Sequence, residues 1–359
     1  MIEEHRNRQL QMQSGLDASA PAEKATNPVV LCAADERYAR PLAVTLMTAG
    51  ETLASGHELT VYLVDNGLSE QSRAMLKETL AGLPVELAFV PRQELGIADL
   101  SISHHISHTA YLRLFADRWL PSSLDQVVYL DSDLLLAESL TELWRQPMGE
   151  NYCLAVPDIA CPYIDSRLAP KSFRGHAPYT AVYRPIPNYR ELGLDGSGFY
   201  FNSGVMVLNL RRWRSEQLGE RLLDCLRTNR EHVWCWDQYA LNAVLAGNWG
   251  RLPLRWNAGS HLFEFPPGDA GPIDAREFEE MRERPAIIHF TTEFKPWDFG
   301  NRHPWRDRYF EALDRTAWKG WRPADPGFSL HRWWTRQAVN WSRKATIAWR
   351  KATAWQVGR

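Results

Sequence analysis

Asp131, Ser132 and Asp133 follow directly on the apolar run Val127-Val128-Tyr129-Leu130. Two carboxylates at i and i+2 on a chain leaving a strand end can meet one divalent cation, whose remaining positions take phosphate oxygens. Alone, such a triplet reads equally well as a solvated turn. Here it interrupts an apolar run that resumes at Leu134-Leu135-Leu136, where charge is expensive unless paired or metal-bound. His289 closes another apolar run, Ala286-Ile287-Ile288, and Lys295 follows shortly after. Carboxylates plus an imidazole with open positions suit Mn²⁺, and Mg²⁺ less well because of the nitrogen donor. Lys295 can set a point charge against a leaving diphosphate. The plainer alternatives are a hydrogen-bonded core histidine and a surface lysine.

Uncharged amides form a second group. Phe201-Asn202-Ser203-Gly204 with Asn209, and Trp236-Asp237-Gln238, place Asn and Gln where a crevice would let them bond sugar hydroxyls. Asp237 can hold a hydroxyl or orient its neighbour, while helix capping and turn amides are the ordinary alternative. His104, His105 and His108 cluster as well, and His104 with His108 has the i, i+4 spacing of a zinc pair. No Cys or Glu nearby completes a zinc site, so a helix start facing an acceptor is the favoured reading.

Several alternating elements must position these groups. Val29 to Ala34, Glu58 to Asp65 and Val85 to Val90 read as strands, with helices over Tyr38 to Thr52 and Ser69 to Leu80 between them. Such alternation implies parallel crossover units. A helix around Thr109 to Leu120 feeds the strand ending at Asp131. Ligands collect beyond the carboxyl ends of strands in open α/β sheets, so Asp35 and Asp131 are expected to face one crevice. Residues 160 to 198 lack periodicity and read as a long loop, functional or mobile. Beyond it come a strand over Phe199 to Leu210, helices over Arg212 to Arg227 and Trp236 to Ala246, and a buried strand over Pro285 to Phe290.

With 359 residues, 45% hydrophobic and 23% charged, the chain can bury a sizeable core, which excludes wholesale disorder. The formal net charge of -2 gives no global preference for nucleic acid. Charge is nevertheless sorted: from Phe328 onward there are seven basic and no acidic residues, leaving -9 on the rest. The odd count of five cysteines, with no C-x-x-C pair, argues against a disulfide framework and fits a reducing cytoplasm. Residues 1–27 read as a polar flexible leader without a signal-peptide core. No apolar stretch reaches the roughly 18 residues of a transmembrane helix.

Ser329 can cap a helix running to about Trp355. On it Leu330, Trp334, Trp341, Trp349 and Trp355 gather on one side and Arg332, Arg336, Arg343, Lys344, Arg350 and Lys351 on the other, with Trp333 and Ile347 as exceptions. A cationic flank beside a Trp-lined flank is the composition of a helix lying in a bilayer interface. The alternative is a helix packed on the main domain. Its basic face still needs an anionic partner.

In order along the chain, Ala33-Ala34-Asp35 with Tyr38, Tyr111-Leu112-Arg113-Leu114, Tyr129-Leu130-Asp131-Ser132-Asp133, Tyr200-Phe201-Asn202-Ser203-Gly204-Val205 with Asn209-Leu210, Asp237-Gln238, and His289-Phe290 with Lys295-Pro296-Trp297 resemble glycosyltransferase family 8. The likeness is greatest to its bacterial lipopolysaccharide α-galactosyl- and α-glucosyltransferases, and it runs from Val29 to about Leu313. It implies an α/β fold of the GT-A, Rossmann-like type with a mixed central sheet, binding a UDP-sugar and Mn²⁺. By that resemblance Asp131, Asp133 and His289 bind the metal, with Ser132 between the two carboxylates. Asp35 and Tyr38 contact the uracil, Ala33 belongs to the donor-binding set, and Arg113 and Lys295 serve the donor and its diphosphate. Asp158, Asn202, Gly204, Asp237 and Gln238 would hold the transferred sugar, with Asn202, Asp237 and Gln238 nearest the chemistry. His105 matches a position facing the acceptor. Arg37 departs from the common uncharged uracil contact, and Thr292 replaces the glycine usual between the histidine and the lysine.

The domain expectation is a leader at 1–27, a GT-A domain at 28–320 and a basic, Trp-rich membrane-association tail at 321–359. The functional expectation is retaining transfer of glucose or galactose from UDP-glucose or UDP-galactose to a glycan or glycolipid acceptor, such as lipopolysaccharide core. The enzyme would sit on the cytoplasmic face of an anionic membrane through residues 329–355. An amide is a poor nucleophile, so front-face attack with Gln238 stabilising the sugar is favoured over a covalent intermediate. A nucleotidyltransferase would call for a Gly-rich basic loop after the first strand, and Ala33-Ala34-Asp35-Glu36 is neither. A catalytically inactive glycan- or membrane-binding protein is the rival from another class.

Overall fold

The computed structural model describes residues 27–100, 108–168, 184–265, 273–292, 295–325 and 341. The expected leader before Asn27, His104, His105 and, apart from Trp341, the expected tail helix lie outside the described residues.

Strand β1 (Val29–Ala34) is buried along its whole length, as a strand covered on both faces must be. Helix α1 (Ala39–Glu51) crosses to β2 (Leu59–Asp65), and α2 (Glu70–Leu80) to β3 (Val85–Pro91). These three strands pair in parallel, as the apolar runs imply. Ser69 caps α2 by accepting the Ser72 amide, which starts the helix where the polar turn ends.

The remaining strands are β4 (Gln126–Leu130), β5 (Leu134–Leu136), β6 (Cys153–Pro157), β7 (Phe201–Asn209), β8 (Trp249–Arg251), β9 (Ala258–Gly259) and β10 (Ile287–His289). Among the described residues a seven-stranded sheet has the order β3-β2-β1-β4-β7-β6-β8. It is mixed, because β7 runs antiparallel to both β4 and β6. Strand order turns back between β1 and β4, so Asp35 and Asp131 sit at the carboxyl ends flanking a topological switch point. A second sheet, β5-β10-β9, pairs His289 with Leu134. That pairing carries the imidazole to the residue following Asp133, across a long sequence separation.

Two helices differ from expectation. Residues His108–Arg118 form a 3₁₀ segment kinked at Phe115, not an α-helix. Its carbonyls are diverted: Leu112 O accepts the Trp119 indole and Leu114 O the Trp213 indole, each at 2.9 Å. The helix expected over Arg212 to Arg227 is two, Leu210–Ser215 and Leu218–Thr228, broken at Gln217 with φ 50°. Trp213 and Leu218 are both fully buried. On one straight helix they would point about 140° apart, and the break lets both reach the core. The ends of the expected 160–198 loop zip together through Tyr163 and Phe199, while residues 169–183 lie outside the described set. No helix among the described residues is long and apolar enough to cross a membrane.

Candidate active site

An open cavity of about 950 Å³ lies at the switch point. Ala33, Asp35, Tyr38, Arg113, Asp131, Ser132, Asp133, Asp158, Asn202, Gly204, Asp237, Gln238, His289 and Lys295 all line it. The fold therefore gathers every one of these sequence-derived candidates in one place.

At one end, Asp131, Asp133 and His289 each offer a ligand atom, all within 4.8 Å of one another. His289 Nε2 is 3.3 Å from Asp133 Oδ1 and 3.8 Å from Asp131 Oδ2. Gly204 floors this cluster: a Cβ there would overlap His289 Cε1 and come within 2.7 Å of Asp131 Oδ2. The hard carboxylates, the borderline imidazole and the space kept by the glycine fit a divalent cation.

Fixed cations surround these acids. Arg113 is buried and donates to Asp131 Oδ1 at 2.7 Å, to Ser203 O at 2.8 Å, and reaches Asp237 Oδ2 at 3.1 Å. It thereby grips two carboxylates of the cavity wall, Asp131 and Asp237. Lys295 Nζ donates to Asp133 Oδ2 at 2.6 Å and to Phe290 O at 2.7 Å. Burial disfavours the Asp133 carboxylate, but Lys295 and His289 outweigh it and hold the group below the usual carboxylate range. Burial dominates at Asp237, pushing it up to about 6 despite Arg113, with Asp131 adding repulsion. His303, which also lines the cavity, is pushed down to about 4 by burial and then by Lys295.

The sugar-type amides form a connected row. Gln238 Nε2 and Asn202 Nδ2 donate to Asp158 Oδ2 at 2.9 and 3.2 Å. Gln238 Oε1 accepts the Ser203 amide at 3.0 Å, and Ser203 Oγ donates to Asp237. Trp236, opening α6 (Trp236–Val244) after the α3 to α5 helices Leu140–Trp144, Leu210–Ser215 and Leu218–Thr228, has φ 45°. Such a conformation is rare for a bulky residue and swings Asp237 and Gln238 toward the cavity.

Some candidates differ from expectation. Asn209 caps α4, accepting the Arg212 amide at the opposite end of β7 from Asn202, and does not line the cavity. The Ser132 hydroxyl donates to Ala33 O at 2.8 Å, tying β4 to β1. Asp35 accepts the Arg37 amide and the Thr109 hydroxyl. His108 is outside the cavity, with Nε2 3.3 Å from Leu100 O. Thr292, where the resembling family has glycine, takes φ 80°. The turn that glycine would make freely is thus kept by a β-branched residue.

The sequence reading missed Asn257, Ser260, His261, Glu264 and His303, which also line the cavity. Asn257, Ser260, His261 and Glu264 come from the short 3₁₀ helices Leu254–Asn257 and Ser260–Glu264, too brief to show a periodicity, and His303 from a connecting segment. Asn257 joins Asn202 to His289, accepting from His289 Nδ1 at 2.9 Å.

An open, mixed α/β sheet with a carboxylate–imidazole cluster at its switch point and amides beside it defines a protein of the GT-A type. The chain belongs to glycosyl transferase family 8, whose model matches residues 29–300. Its function is thus glycosyl transfer. It is 27% identical over 293 residues to General stress protein A of Bacillus subtilis, covering 81% of this chain and 94% of that protein. Over 223 residues it is 26% identical to a lipopolysaccharide 1,2-glucosyltransferase of Escherichia coli, covering 61% and 58% of the two chains. It spans only 31% of a similar Streptococcus pneumoniae glycosyltransferase. In fold it resembles the galactosyltransferase LgtC in complex with donor and acceptor sugar analogs, with TM-score 0.64 and 23% identity over 80% of this chain and 96% of that one. An active-site mutant of LgtC gives TM-score 0.67 at 24% identity, with the same coverage.

Proposed function

We propose that the chain transfers glucose or galactose from UDP-glucose or UDP-galactose to a membrane-borne glycan, such as a lipopolysaccharide core, with retention of configuration. The observation that carries this is the Asp131–Asp133–His289 cluster lying in one cavity with the Asp158–Asn202–Gln238 row. Asp131, Asp133 and His289 would hold Mn²⁺, with Mg²⁺ as the alternative. When bound, such an ion acts as a Lewis acid toward the diphosphate.

The protein's own groups do the rest. Arg113 holds Asp131 and Asp237 in place through its fork of donors. Lys295, released from Asp133 as the donor enters, directs its ammonium at the leaving diphosphate. Asp158, carrying three neutral hydrogen-bond donors and no ion-pair partner among the described residues, accepts hydroxyls of the transferred sugar. Gln238, pinned at both ends of its amide, turns its carbonyl to the electron-poor anomeric carbon. Asp35 and Tyr38 lie on the uracil side. Attack from the leaving-group face gives retention without a covalent intermediate, the departing phosphate accepting the acceptor's proton.

A basic tail at 329–355 would keep the enzyme on the inner face of the membrane beside its acceptor. The test is a screen of UDP-sugars for UDP release with and without Mn²⁺. Mn²⁺-dependent release from UDP-glucose or UDP-galactose, with an α-linked product by NMR, supports the reading. Release from neither donor contradicts it.

A further inference from the structure

Asn202 Oδ1 accepts the backbone N–H of Gly204 at 3.0 Å, and a backbone N–H can only donate. That contact fixes the Asn202 atom as oxygen. Asn257 meets the same oxygen at 2.9 Å, so the atom it presents is its amide nitrogen. The other Asn257 atom is then an oxygen, and it lies 2.9 Å from His289 Nδ1. Only an Nδ1 that carries hydrogen completes this contact. Asn257 and His289 are both 4% exposed, leaving little room for water to substitute. One backbone amide thereby sets the direction of a whole chain of hydrogen bonds, from His289 through Asn257 and Asn202 to Asp158.

We propose that Asn257 is a positioning residue with two tasks. It commits the His289 Nδ1 to donating, so that Nε2 presents its lone pair between Asp131 and Asp133. It also ties that ligand to the sugar side of the cavity, so that occupation of one side tightens the other. The inference rests on the metal-dependent reading above and adds a residue to it. Second partners of this kind fix ring orientation and ligand basicity.

Two substitutions separate the tasks. Asn257→Leu keeps the branched shape, with somewhat larger methyl groups in place of the amide atoms, and removes both hydrogen bonds. Asn257→Asp keeps an acceptor for His289, now a charged one that makes the imidazole a stronger ligand, but turns a second acceptor against Asn202 Oδ1, so the link to the sugar side is lost while the support of the metal ligand is not. Because Lys295 occupies Asp133 until the donor enters, Mn²⁺ binding to the full chain is measured with UDP present, against a control of UDP alone, from the electron paramagnetic resonance of the free ion, and circular dichroism checks the fold. Asn257→Leu is expected to weaken Mn²⁺ about 10–100-fold. Asn257→Asp is expected to bind Mn²⁺ within about threefold of wild type while the KM for UDP-hexose rises on the order of tenfold, since the metal partner survives and the sugar-side bond does not. If Asn257→Leu does not fold, Asn257→Ala, which cannot clash, takes its place with the same expectation. Wild-type protein that binds no Mn²⁺ overturns the metal reading and this inference together. Wild-type protein that binds, beside a Leu or Ala variant that binds equally well, overturns this inference alone. So does an Asp variant that loses Mn²⁺ as severely as the Leu variant.

Discussion

The ammonium of Lys295 lies 2.6 Å from Asp133 Oδ2, and both residues are buried. A cation of the chain itself thus neutralises one of the carboxylates proposed to receive the metal. Removing either partner of such a pair strands the other charge in the core, which costs about 3–5 kcal/mol. Asp133→Ala should therefore lose stability on that scale as well as turnover, measured by urea unfolding. Combining it with Lys295→Met removes both charges and should recover most of the stability but no activity. An Asp133→Ala variant as stable as wild type would show that the pair does not form in solution.

Asp237 gives a stability effect with a definite sign. Burial raises its folded-state pKa to about 6, above the ordinary value of 3.8. Between those two values the folded state holds a proton that the unfolded state has lost, so rising pH destabilises the fold there. The shift corresponds to at most about 3 kcal/mol. Asp133, held below its ordinary range, acts oppositely: its contribution is present above the unfolded pKa and is lost as pH falls below it. Asp237→Asn should become more stable relative to wild type as pH rises from about 4 to about 6. Unfolding free energies that keep a constant difference across that window would count against the buried carboxyl.

Gly204 should tolerate no side chain. Its Cβ would overlap His289 Cε1 and crowd Asp131 Oδ2, so Gly204→Ala displaces two proposed ligands without touching the hydrophobic core. Displacements near 1 Å at a reacting centre cost on the order of 100-fold in rate. A loss of that size in transfer, with an unchanged circular dichroism spectrum and weakened Mn²⁺ binding, is the expected result. Wild-type kinetics would mean the glycine is not needed for space.

The tail prediction concerns residues beyond the described cavity, since every lining residue precedes Pro304. Deleting residues 329–359 should leave UDP release from the donor intact and reduce transfer to membrane acceptor. Basic residues near an anionic surface contribute about 1 kcal/mol each, so sedimentation with anionic vesicles should fall on deletion and weaken with salt. A truncated chain that sediments as well as the full one assigns the tail to packing.

Much of the site was legible because strand ends announce it. Asp35, Asp131 and His289 each follow an apolar run, and such runs mark buried strands whatever their partners. The pairing of β5 with β10, which brings His289 beside Asp133, is a long-range register that no local pattern encodes. Asn257 was invisible for a similar reason: a single amide closing a one-turn 3₁₀ helix gains its role only from Asn202 and His289, both distant in sequence. The kinked 108–118 segment misled because its spacing is helical, while two indole donors compete for its carbonyls. Asn209 was correctly seen as an amide at a strand end, but at the end away from the cavity, where capping takes precedence.

The central claim is that Asp131, Asp133 and His289 share one divalent ion serving a UDP-linked sugar. The most direct measurement is anomalous diffraction at the manganese edge from crystals of the full chain soaked with Mn²⁺ and UDP. The account predicts a single peak within bonding distance of Asp131, Asp133, His289 Nε2 and the diphosphate oxygens, absent in crystals of Asp131→Asn. A peak elsewhere in the molecule, or UDP seated in the cavity with no ion between it and Asp131, would contradict it.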